Sequence, residues 1–184
     1  MISKPETRNY KPILVFAFLL STACSVSWIS RDVPFVTTPM EVVDRMLELA
    51  EVKRGDIVYD LGSGDGRIVI RAAQKYAARA VGIEIDPDLV QKSRAKAQEE
   101  GVARLVEFRV QDALTTDVSE ATVVTLYLLP EFNLKLKPIL QKQLKPGGRV
   151  VSHDFDIEGW SPNKVEKMPG SILHQHTIYL WKIE

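Results

Sequence analysis

The residues best placed to do chemistry are three carboxylates, each standing where an apolar run ends. Asp60 lies at the end of Ile57-Val58-Tyr59, Glu84 closes Val81-Gly82-Ile83, and Asp112 follows Val106 to Val110. An ionised carboxylate only accepts hydrogen bonds, so acids in these places suit a ligand that offers hydroxyl or amino groups. Asp60 also leads into Leu61-Gly62-Ser63-Gly64-Asp65-Gly66, and Arg67 to Tyr76 then reads as an amphipathic helix. Glycines let the backbone approach a ligand closely, and a helix N-terminus directs its N–H groups outward. A dinucleotide fingerprint would place its third small residue at position 67. Arg67 occupies it, too bulky for that close helix–strand packing, which argues against a nicotinamide dehydrogenase.

The elements that must position these acids alternate. Strands are predicted over Ile57 to Leu61, Ala80 to Ile85, Val106 to Val110, Thr122 to Leu129 and Arg149 to Phe155. Helices are predicted over Arg67 to Tyr76 and Pro87 to Glu100, with a further helical stretch after Leu129 interrupted at Pro138. Runs such as Val123-Val124-Thr125-Leu126-Tyr127-Leu128-Leu129 suit strands buried on both faces of a parallel sheet. Asn163 to Met168 and Thr177 to Ile183 read as a closing antiparallel pair. The expected fold is α/β, a doubly wound, mostly parallel sheet with helices on both faces and an antiparallel C-terminal strand pair. In such a sheet a ligand lies beyond the carboxyl ends of the strands, at the switch point. Ahead of it, Thr38, Pro39 and Glu41 predict a capped helix running to about Glu51, with Thr38 as N-cap and Glu41 completing a capping box.

The run Asp60, Gly62, Gly64, Gly66 resembles the first motif of the class I (seven-strand) S-adenosylmethionine-dependent methyltransferases, acidic-x-Gly-x-Gly-x-Gly, in full. Leu144-Lys145-Pro146-Gly147-Gly148 is similar to that family's turn into strand five. Val33 to Pro39, Asp60 to Ile70, Leu126 to Glu131 and Val151 to Phe155 resemble one branch. It holds the mitochondrial protein-lysine methyltransferases of adenine nucleotide translocase and of the ATP synthase c-subunit, with their bacterial relatives. The resemblance covers roughly residues 31 to 156. It implies S-adenosyl-L-methionine as cofactor, held by Thr38, Asp60, Gly62, Gly64, Gly66, Glu84 and Asp112. In this scheme Asp60 meets the ammonium of the methionine moiety, Glu84 both ribose hydroxyls and Asp112 the adenine amino group. Asp86 is expected to cap the second helix of the alternation.

Methyl transfer to an amine asks mainly for orientation and for a neutral nitrogen. Tyr127, Glu131 and Asn133, at the end of the fourth strand and facing Thr37 and Thr38, are the catalytic candidates; core packing for Tyr127 and helix capping for the other two are their alternative roles. His153 and Asp154 end the fifth strand and are candidates for lining the pocket or for turn packing. The expected acceptor is a lysine of a protein, with a membrane protein as one expected case; a small-molecule or RNA acceptor, or a non-catalytic nucleotide-binding module, is the alternative.

Composition narrows the classes. The 184 residues suit one domain, and 24 basic against 24 acidic residues leave no global footprint for nucleic acid. The single cysteine, Cys24, excludes a disulfide framework. His153, His174 and His176 show no metal-ligand spacing, so no metal is expected. Residues 1–30 read as a hydrophobic anchor or signal segment and 31–184 as the methyltransferase domain. Ile13 to Ile29 is uncharged and preceded by Lys4, Arg8 and Lys11. As a helix it would reach about 25 Å, short of the roughly 30 Å hydrocarbon core. Leu20-Ser21-Thr22-Ala23-Cys24 resembles a degenerate lipoprotein processing site. Membrane association through residues 13–29 is therefore expected, on a side that the segment alone does not specify.

Overall fold

A computed structural model describes residues 36–171 and 174–184. The anchor or signal segment expected at 1–30 lies outside the described residues. In chain order the elements are Met40–Leu49 (α1), Ile57–Leu61 (β1), Arg67–Tyr76 (α2), Arg79–Glu84 (β2), Pro87–Glu99 (α3), Val106–Val110 (β3), a short 3₁₀ turn at Ala113–Thr115, Val123–Leu126 (β4), Pro130–Gln143 (α4), Arg149–His153 (β5), Lys164–Ser171 (β6) and His174–Lys182 (β7). No helix among the described residues is long and apolar enough to cross a membrane.

The apolar runs become one seven-stranded sheet in the order β3-β2-β1-β4-β5-β7-β6. β1 to β5 are parallel, β7 runs antiparallel to β5, and β6 antiparallel to β7. From β1 the chain winds outward through β2 and β3, then returns to lay β4 on the other edge of β1. The connections diverge at that place, which opens a crevice above the carboxyl ends of β1 and β4. Strand alternation divides the core into two layers. Val58, Ala80, Val123 and Val151 join the apolar faces of α1, α2 and α3, whereas Tyr59, Val81, Val124 and Val150 join Leu136 and Leu140 of α4 and Trp181 of β7.

Several boundaries depart from the sequence reading. The capping box ahead of α1 does not form: Pro39 is the N-cap residue and no side chain caps the helix. The Thr38 hydroxyl lies instead 3.2 Å from His153 Nδ1, in the buried interior. A long-range polar partner that would otherwise be unsatisfied wins over a local cap. α4 runs through Pro138 without a break. The ring faces outward while Leu136 and Leu140 are fully buried to either side, so packing of the inner face outweighs the lost backbone bond. β4 stops at Leu126, because Leu129 already serves as N-cap to Pro130 at the first turn of α4. β5 stops at His153, because Asp154 turns into the left-handed region at φ 59°. Asp86 caps α3, its carboxylate accepting from Asp88 N at 2.9 Å.

Candidate active site

The end of β1 is bent back on β2 by two amides, Gly62 N and Ser63 N, which both donate to Ile83 O at 2.9 Å. The bend requires φ +82° at Gly62, and a Cβ there would fall 2.8 Å from Leu128 Cδ2. Gly66 is equally constrained: its φ is +75°, and a Cβ would fall 2.6 Å from the Phe108 ring. Gly64 N donates to Glu84 Oε2 at 2.9 Å, which locks the turn to the end of β2. Above this turn lies a cavity of about 370 Å³, and Asp60, Glu84 and Asp112 all line it.

The three acids differ in their surroundings. Asp60 is buried, with Thr125 Oγ1 donating to its Oδ1 at 2.6 Å. Burial pushes its carboxyl up to about 7; the Thr125 hydroxyl opposes this, and the negative charges of Glu84 and Asp65 add to it. Glu84 is held by three backbone donors: Ile85 N and Asp86 N reach Oε1 at 2.8 and 3.0 Å, and Gly64 N reaches Oε2. A carboxylate has about four acceptor directions. One direction, on Oε2, therefore remains in this arrangement, where the sequence reading assigns two ribose hydroxyls to this side chain. Asp112 caps the 3₁₀ turn through Leu114 N, 2.8 Å from its Oδ1.

Arg67, the residue that excludes the dinucleotide fingerprint, has a part of its own. Its Nε and Nη2 grip Asp65 at 2.9 and 2.7 Å, and Nη1 donates to Thr38 O at 2.8 Å. This fork ties the segment before α1 to the glycine turn, so that Val36, Thr37 and Thr38 wall the cavity. Tyr127 also lines it, and its ring centroid is 4.2 Å from that of His153. Burial, helped by the negative charge of Asp154, raises the Tyr127 phenol above its usual value. Burial also pushes His153 down to about 4, which leaves it neutral at physiological pH.

Of the expected site residues, Thr38, Asp60, Gly62, Gly64, Glu84, Asp112 and Tyr127 are brought together on the cavity. Gly66 stands one step behind, at the N-cap of α2. Glu131 and Asn133 do not line the cavity. Glu131 is exposed on the first turn of α4, away from the cavity lining. Asn133 is fully buried, and its Nδ2 donates to Phe155 O and Asp156 O at 3.3 and 3.2 Å, holding the loop after β5. Both share a helix with Phe132, which does line the cavity, and helical rotation carries its two neighbours to other faces. Sequence reasoning missed Phe132, Gln111 and the Arg67 tether. Gln111, beside Asp112, was within reach of the strand-end argument; Phe132 carried no signal.

The ANTKMT methyltransferase domain profile matches residues 60–164. A protein-lysine N-methyltransferase of Saccharolobus islandicus (strain REY15A) is 48% identical over 152 residues, covering 82% of this chain and 94% of the relative. The Homo sapiens lysine N-methyltransferase of the ATP synthase c-subunit is 36% identical over 132 residues, 72% of this chain, and the match spans 56% of the human protein. Among solved structures, an RNA methyltransferase from Salinibacter ruber in complex with S-adenosyl-L-homocysteine is 61% identical, with a TM-score of 0.77, covering 80% of this chain and 94% of that one. The chain belongs to the ANTKMT methyltransferase family, with the class I fold and S-adenosylmethionine as its cofactor.

Proposed function

We propose that the chain is an S-adenosylmethionine-dependent protein-lysine N-methyltransferase. The observation that carries this reading is the gathering of Asp60, Glu84 and Asp112 on one cavity that also takes in the neutral phenol of Tyr127. The residues present fit the cofactor. Three acceptor groups match its ammonium, ribose and adenine amino donors, and a side chain at Gly62 would collide with Leu128 beside the same cavity.

S-Adenosylmethionine supplies a methyl group already activated on a sulfonium. The protein's own task is to orient the two reactants, worth about 7–11 kcal/mol, and to present a neutral nitrogen. A free lysine titrates near 10.4, so the acceptor must lose a proton before it attacks. Ile68, Ile83, Leu128 and Phe132 make part of the cavity apolar, which disfavours an ammonium. Tyr127, kept protonated by burial, accepts an N–H of the amine through its phenol oxygen and aligns the nitrogen; it does not serve as a base.

A protein acceptor agrees with the relatives described as protein-lysine methyltransferases and with the balanced charge, which supplies no net positive charge to draw nucleic acid. The Salinibacter ruber relative is described as an RNA methyltransferase, so RNA is the competing acceptor. Incubation of the purified full chain with labelled S-adenosylmethionine and, separately, total protein with membranes or total RNA decides between them. Label in lysine, located by mass spectrometry, is the expected result; label in RNA with none in protein refutes the assignment. The uncharged run 13–29 further supports a tether at a membrane and a membrane-protein target. Co-sedimentation with vesicles of the full chain, against a chain starting at residue 31, tests the tether.

A further inference from the structure

The sequence reading expects no metal, yet strand pairing assembles a ligand set that no spacing in the chain announces. His153 ends β5 and pairs with Ile178 of β7, so His176, two residues earlier on β7, stands diagonally across from it on the same face. Asp154 follows in the left-handed turn, which brings its carboxylate against β7. His153 Nε2 lies 2.9 Å from His176 Nδ1 and 3.1 Å from Asp154 Oδ2, and His176 Nδ1 lies 3.7 Å from the same oxygen.

These three lone-pair atoms form a triangle whose sides bracket the edge of a zinc tetrahedron. Ligand bonds of 2.0–2.1 Å imply edges of about 3.3 Å. Two of the three ligands, His153 and Asp154, are also oriented from behind, as metal ligands commonly are. With Nε2 committed to a metal, His153 Nδ1 carries the proton and donates it to Thr38 Oγ1, 3.2 Å away. Asp154 Oδ1 is held by Thr177 N at 2.9 Å. His174 Nε2, 2.9 Å from Asp154 Oδ2, stands at the solvent side with its side chain half exposed, while His153 is fully buried. The site thus has a buried floor and an open door.

We propose that His153, Asp154 and His176 bind a divalent ion of the zinc class, two imidazoles and one carboxylate, with water or His174 completing the shell. The ion pins β7 to the end of β5. Through Thr38 and the Tyr127 ring packed on His153, it also braces the wall of the cofactor cavity. This assignment stands apart from the methyl-transfer reading, since it concerns residues behind the cavity wall and is tested without turnover.

The test uses the full chain made without a histidine tag, stripped with a chelator and dialysed against buffered free Zn²⁺ or Co²⁺. One zinc per chain by plasma emission, a raised Tm, and an intense visible Co²⁺ spectrum of tetrahedral type are expected. His176→Ala should abolish all three while circular dichroism remains native. Thr38→Val, which keeps the ligands and removes the outer hydrogen bond, should weaken zinc binding 10–100-fold. Absence of zinc in the wild-type chain leaves a hydrogen-bonded cluster only and overturns the proposal; full zinc retention by His176→Ala overturns it equally, since the ion then sits elsewhere.

Discussion

Replacing Asp60 by Asn should make the protein more stable and less able to bind its cofactor. In the unfolded chain this carboxyl titrates near 3.8, and in the folded protein near 7, because burial penalises the charge. Between those values the folded state holds a proton that the unfolded state has released, so stability falls as pH rises from about 4 to 7. Below that window the penalty is absent, and above it the penalty is complete. At 1.36 kcal/mol per pH unit, the interval corresponds to about 4 kcal/mol as an upper bound. Asn keeps the oxygen that accepts from Thr125 Oγ1 and offers an N–H₂ to a neighbourhood made negative by Glu84 and Asp65. Urea denaturation of wild type and Asp60→Asn at pH 4, 6 and 8 should show matched stabilities at pH 4 and a gain of about 2–4 kcal/mol for the variant at pH 8. Calorimetry with S-adenosylhomocysteine should show at least a tenfold loss of affinity in the variant. In the wild type, affinity should fall about tenfold per pH unit below 7, because the carboxylate that meets the ammonium is being protonated. Equal stability of the two proteins at pH 8, with a flat wild-type profile from pH 4 to 8, would refute the account of Asp60 as a charge held at a cost.

Other substitutions probe the remaining parts. Tyr127→Phe should lower kcat by tenfold or more and leave cofactor affinity within about twofold, and the wild-type pH–rate profile should show no tyrosine titration below pH 10. Asn133→Ala should cost about 1–3 kcal/mol in urea unfolding, because it removes a fully buried amide that donates to Phe155 O and Asp156 O and holds the loop after β5, whereas exposed Glu131→Ala should shift stability by less than about 0.5 kcal/mol and keep kcat within about twofold. Gly66→Ala should destabilise by about 2–4 kcal/mol, since it combines a left-handed backbone with a Cβ pressed on the Phe108 ring; a fall in Tm of less than about 2 °C would contradict that geometry.

Arg67 shows how far side-chain bulk alone carries a reading. Its size argues against a dinucleotide turn, which is a statement about what does not fit. The structure adds what it does: the guanidinium links Asp65 to the carbonyl of Thr38 and so closes the glycine turn against the segment before α1. The carbonyl it grips belongs to a residue 29 positions away, and nothing in the local pattern predicts that pairing.

What the amino-acid order determined alone is local in character. The requirement for positive φ at Gly62 and Gly66, the apolar runs of β1 and β4 and the proline at the head of α3 each act within about ten residues, so strand, turn and helix were legible with the acids at their ends. Residues far apart in the chain were paired only by the sheet. Thr38 abandoned its cap for His153, Asn133 turned to the loop after β5, and His153, Asp154 and His176 met because β7 runs antiparallel to β5. A side chain's distant partner depends on register and helical rotation, where one residue of offset sends it to another face, and that choice is made by packing the whole core.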